Sequence, residues 1–153
     1  MSLQIIPPDE FTIHPLIYEN AYPIGSLPLS DVLLNDDRRY IWLILVPRLQ
    51  DISDISDLND QAAQSLLQET QQALSVLKNV RKPDRIDLMA SPDVTTQFHV
   101  DLIARFHSDE AWPLPVWNIG QKIFYPAHSA AILVDMLRSH FCKSGKDWIS
   151  AKP

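Results

Sequence analysis

The residues of this chain best suited to chemistry lie together in Gln97-Phe98-His99-Val100-Asp101-Leu102-Ile103-Ala104-Arg105. Polar and apolar residues alternate from Gln97 to Leu102, the period of a half-buried β-strand. Gln97, His99 and Asp101 are therefore expected on one face, with Phe98, Val100 and Leu102 on the other. Each polar group offers a different chemistry. A neutral imidazole is a nucleophile near pH 7. A carboxamide donates N–H groups to anionic oxygens. A carboxylate orients the ring by accepting one of its N–H groups, yet when ionised it sets negative charge beside any incoming anion and favours the imidazolium, which cannot attack. The same His99–Asp101 pair also reads as a satisfied structural contact, since most such pairs are not catalytic. The H-x-D spacing, even with His107 nearby, does not define a metal site, so neither metal nor cofactor is expected.

The composition is that of one globular domain, residues 1–153, with 46% hydrophobic and 21% charged residues. A net charge of −6 and the absence of a basic run argue against nucleic acid as a partner. The longest apolar run, Tyr40 to Pro47, is strand-sized, so a membrane span is not expected. The opening MSLQIIPPDEF lacks the pattern of a secretory leader. Cys142 is the single cysteine. A cytoplasmic protein without internal disulfides is the expectation, with Cys142 as a small core hydrophobe.

The elements that must position the strand are legible around it. Pro7, Pro8 and Pro15 keep any helix near Leu16 to Asn20 short. Tyr22 to Leu29 reads as an edge strand or extended segment, and Ser30 to Leu34 and Tyr40 to Val46 as a hairpin around the polar turn 35–39. Apolar or small residues at Leu58, Ala62, Leu66, Leu67, Ala73, Leu74, Leu77 and Val80 mark a long helix capped by Asp57 or Asn59 and stopped by Pro83. Asp84 to Ala90 is expected to pair with the opening strand across a Ser91-Pro92-Asp93 turn. The proline- and tryptophan-rich loop from Trp112 to Trp117 follows. A final helix carries Ala130, Leu133, Val134, Leu137 and Phe141, with Gly145 past its end. The order β-β-α-β-β-α describes an α+β domain with a mainly antiparallel sheet.

His99-Val100-Asp101-Leu102-Ile103-Ala104-Arg105 resembles the signature strand of the histidine-triad (HIT) nucleotide hydrolases and transferases. Leu45-Val46-Pro47-Arg48, the long helix and Trp112-Pro113 agree in order, over about residues 20–117. The likeness is to a bacterial subgroup with Gln in the first triad place, a WPxPVW loop and a C-terminal helical extension, here about 118–153. It implies a HIT-like fold with about five strands. It also implies a purine nucleotide or nucleotide conjugate as ligand and a homodimer as assembly. The triad places fall on Gln97, His99 and Asp101, so only the nucleophile's position keeps its histidine. The resemblance further implies nucleotide-binding roles for Asp36, on the ribose hydroxyls, and for Asp93, Arg105 and Trp112. Read as residues alone, Asp36 and Asp93 equally make turns, Arg105 ends a strand in solvent, and Trp112 packs. Three functions stay open: a nucleotidyl or phosphoramidate hydrolase weakened by its degenerate triad, a non-catalytic nucleotide-binding or interaction protein that keeps the fold, and a purely structural homodimer.

Overall fold

A computed structural model describes residues 3–90, 95–145 and 147–152. β1 (Ala21–Ser26), β2 (Ser30–Asn35), β3 (Ile41–Pro47), β4 (Arg85–Met89), β5 (Val100–Arg105) and β6 (Ile149–Ser150) form one sheet in the order β4-β5-β3-β2-β1-β6. Each neighbouring pair is antiparallel. The nearly continuous apolar run of β3 places it at the centre, with something to bury on both faces. Leu43 and Leu45 face the main core with Val32, Leu34, Val100 and Leu102. Ile44 and Val46 face the other way with Leu33 and Ile17.

Two helices cover the first face. α2 (Asp60–Arg81) begins where the Asn59 carboxamide accepts the Ala62 N–H at 2.9 Å, and ends at Lys82 in the left-handed region (φ 49°) just before Pro83. Of the two capping candidates Asn59 serves α2, while Asp57 closes a preceding 3-10 turn, Ile55–Asp57. α3 (Ala127–Ser144) buries Ala130, Leu133, Val134, Leu137 and Phe141, the expected stripe, and leaves Cys142 exposed rather than in the core. The short helix α1 (Pro15–Tyr18) belongs to an N-terminal segment that packs Phe11, Ile13 and Ile17 on the opposite face.

Three features depart from expectation. β5 joins the ladder only at Val100, so Gln97 precedes the paired strand. The hydrogen bond from Phe98 N to Ile52 O at 3.2 Å diverts the chain there. The sheet has six strands, because β6 adds to β1. Two residues carry no periodicity to read, and the join depends on Gly25, where a Cβ would collide with the Trp148 ring and the Ile149 carbonyl. The first strand runs Ala21–Ser26, shorter than 22–29, because 27–29 is a turn held from both sides. Arg48, buried, donates to Leu27 O at 2.9 Å, Pro28 O at 2.8 Å, Asp31 at 2.8 Å and Ile6 O at 2.8 Å. Glu69 accepts the Leu29 N–H at 2.6 Å.

Candidate active site

Strand alternation puts Asp101 on the face away from α2 and α3, directly opposite Ile44 of β3. His99, two residues earlier, shares that side, and both side chains are almost fully buried. His99 Nδ1 lies 2.9 Å from the Gln97 carbonyl oxygen. A carbonyl only accepts, so Nδ1 carries a proton, and in a neutral ring the lone pair then lies on Nε2. Nε2 lies 3.6 Å from Asp101 Oδ2, beyond direct hydrogen-bond length. The other carboxylate oxygen accepts the Trp42 indole N–H at 2.9 Å. Trp42 is fixed in turn by an edge-to-face contact with Trp117, 5.0 Å between ring centroids. The line carbonyl–imidazole–carboxylate–indole sets the ring's tautomer at one end and the carboxylate's direction at the other.

A cleft of about 310 Å³ opens on this line. Leu16, Ile17, Ile44 and Trp42 give it apolar walls, and Asn20, Asn35 and Lys122 give it polar ones beside His99 and Asp101. Such a mixture of flat apolar surface and a few directed polar groups suits a small polar ligand with a planar part.

The other expected site residues are placed differently. The Gln97 carboxamide accepts His14 N–H at 2.7 Å and donates to Thr12 O at 3.1 Å. It anchors the N-terminal segment and lines a neighbouring groove of about 780 Å³ with Phe11 and Asp51. What Gln97 contributes to His99 is its backbone carbonyl. Asp36 accepts Tyr125 N–H at 2.9 Å and the Tyr22 hydroxyl at 3.4 Å; its neighbour Asn35 lines the cleft. Asp93 lies outside the described residues. Arg105 does not end its strand in solvent. It is fully buried and donates to Asp87, to Asp109 at 2.8 Å and to Leu114 O at 2.8 Å, fastening the loop to the sheet. Trp112 packs edge-on against His107, 4.5 Å between centroids, with the Arg85 guanidinium 4.7 Å from its ring. Among the described residues no group of three or more His, Cys, Asp or Glu is arranged to hold a metal ion.

Sequence reasoning passed over Trp42 and Lys122. Trp42 had a signal: it shares a face of β3 with Ile44 and pairs with Ile103, which puts it beside Asp101. Lys122 had none, because its position comes from an irregular segment tied to the β2–β3 turn. Arg38 N donates to Ile123 O at 2.8 Å, Arg39 to Ile119 O at 2.7 Å, and the Tyr125 hydroxyl to Tyr40 O at 3.1 Å. Burial resists ionisation of Asp37, but the Arg39 N–H groups override it and hold that carboxyl below its ordinary range. Burial, reinforced by Asp37 and Asp36, pushes the Tyr125 phenol up to about 12.

This fold and this strand define a class. The family model described as the HIT domain matches residues 20–108, more than half of the 153 residues, and the chain belongs to that family. It is similar to a histidine-triad protein of Bradyrhizobium japonicum, with 35% identity and a TM-score of 0.82 over 86% of this chain and 98% of that one. A histidine-triad protein of Sinorhizobium meliloti is 32% identical, with a TM-score of 0.81 over 85% and 96%. One of Marinobacter aquaeolei is 28% identical, with a TM-score of 0.83 over 88% and 98%. No curated protein matches the chain.

Proposed function

We propose that the cleft binds a purine nucleotide or nucleotide conjugate, and that the protein is a slow hydrolase of nucleotide phosphoesters or phosphoramidates acting through His99. One observation carries this reading: the Gln97 carbonyl holds Nδ1, so the lone pair on Nε2 is directed to the side of the ring where Asp101 and the cleft lie. In the reaction Nε2 forms a bond to the α-phosphorus as the bond to the leaving group breaks. The leaving amine or alcohol departs with a proton taken from solvent water, and a water then cleaves the nucleotidyl–imidazole, giving the nucleoside phosphate, freeing Nε2 and returning a proton to solvent. Asp101 slows the first step, because an ionised carboxylate near Nε2 repels the phosphoryl oxygens.

The second reading, a binding protein without turnover, is favoured by one specific feature. Trp42 holds the Asp101 carboxylate in place, 3.6 Å from the nucleophilic nitrogen. In either case a cytoplasmic homodimer is our reading of the assembly. β4 is a terminal strand of the sheet with Leu88 exposed, which suits pairing with a second copy.

Turnover of an adenosine phosphoramidate by the purified protein and its His99→Ala variant decides between the two. The hydrolase reading expects a slow rate that falls to background in the variant. Equal background rates for both leave the binding reading, which calorimetric titration with AMP and GMP then tests; no heat at millimolar nucleotide removes it.

A further inference from the structure

Charge is unevenly distributed around the His99 cleft. Asp101 brings a carboxylate, and three guanidinium groups of the surrounding loops and turns are committed elsewhere: Arg105 to Asp87 and Asp109, Arg39 to Asp37 and Glu110, Arg48 to Asp31. Arg38 is exposed and does not line the cleft. The fixed cation among the residues lining the cleft is Lys122. We propose that Lys122 is the anion-binding residue of this cleft and sets its preference for a phosphorylated nucleoside over the neutral nucleoside, an inference that rests on the nucleotide reading above.

Three observations support it. First, the partner of Lys122 Nζ is neutral, the Asn20 side-chain oxygen at 3.3 Å, with the Phe124 ring centroid 5.0 Å away. An ammonium has three donors, so a phosphate oxygen is accommodated with the Asn20 contact retained. Second, the backbone that presents Lys122 is anchored immediately after it. Ile123 O accepts Arg38 N–H at 2.8 Å, Ile123 N reaches Asp37 at 3.4 Å, and Tyr125 N donates to Asp36 at 2.9 Å. Asp36 and Asp37 thus act on the cleft by fixing the segment that carries the lysine. Third, Asp101 makes such a cation necessary, since a phosphate entering beside that carboxylate otherwise meets repulsion. Lys122 lies beyond residues 20–108, the part that matches the HIT domain, so the charge comes from outside the family's core.

The test titrates the full-length protein with AMP and with adenosine, for wild type, Lys122→Met and Lys122→Arg, at two salt concentrations. Lys122→Met is expected to weaken AMP by about tenfold, the usual scale for losing one charge-assisted contact. It should leave adenosine unchanged and flatten the salt dependence, while Lys122→Arg keeps most of the AMP affinity. Unchanged AMP affinity in Lys122→Met overturns the inference and leaves the nucleotide reading standing. Equal losses for AMP and adenosine also overturn it, by showing a structural role. A wild type that binds neither ligand removes the nucleotide reading and this inference together.

Discussion

Asp101 is the residue at which the chemistry of this cleft turns. Its carboxyl group stands 3.6 Å from His99 Nε2, the nitrogen that the proposed reaction uses, and the Trp42 N–H keeps it there. Asp101→Asn removes the charge and leaves an oxygen for Trp42. AMP affinity is expected to rise about tenfold, the effect of removing one like charge at close range. Asp101→His adds a donor as well, and turnover of the phosphoramidate should rise with it. If neither variant changes affinity or rate, the carboxylate is not what limits the site. At this scale the alternation from Gln97 to Asp101 was enough to find His99 and its neighbour, because a period of two sorts faces without further information. It could not show that the Gln97 side chain turns away. That depends on Thr12 and His14, more than 80 residues earlier in the chain (separations of 85 and 83).

Among the elements, the 119–125 segment shows how an irregular stretch becomes a rigid wall. It has no periodicity of its own and takes its shape from the β2–β3 turn through Asp36, Arg38, Arg39 and Tyr40. Asp37 is central, since it binds Arg39 and approaches Ile123 N. Its carboxyl is held below the ordinary range, so it contributes stability above the unfolded value, about 3.9, that is lost as pH falls through the folded one. Asp37→Asn should therefore cost about 1–2 kcal/mol at pH 7. Denaturant unfolding at pH 7 and at the lowest pH that keeps the fold should show the gap closing; a constant gap would mean that Asp37 acts through shape alone. The helices, by contrast, were readable because their stripes repeat at 3.6 residues and their ends carry Asn59 and Pro83. β6 was not, since its two residues pair only because Gly25 leaves room for Trp148.

Across the whole molecule a second titration runs with the opposite sign. Glu69 sits on α2 inside the core, binds Leu29 N–H, and is pushed up by burial. The folded state thus holds this proton more tightly than the unfolded chain, and stability falls as pH rises from the ordinary carboxyl range, about 4.3, into the raised one. Glu69→Gln keeps an acceptor for Leu29, so its stability relative to wild type should improve steadily with pH. Glu69→Ala leaves that buried N–H without its acceptor and should cost about 1–3 kcal/mol. Chemical denaturation from pH 4 to 8 measures both, and a Glu69→Gln difference that ignores pH would refute the linkage. The antiparallel α+β architecture was legible because strand and helix periods mark their own elements. The cover on the cleft side of the sheet was not, because an N-terminal segment rich in proline and a loop fastened by Arg105 are held by contacts distant in sequence.

The contact between Trp42 and Trp117 has an optical consequence. Of the four tryptophans, Trp42 is the one whose ring lines the cleft, and its N–H rests on the carboxylate next to His99. Trp112 lies against His107 and Arg85, and Trp148 stacks on Phe141, each away from the cleft lining. Emission from the Trp42 indole therefore carries its own record of what occupies the cleft, and the protein needs no added dye to report a ligand arriving beside His99.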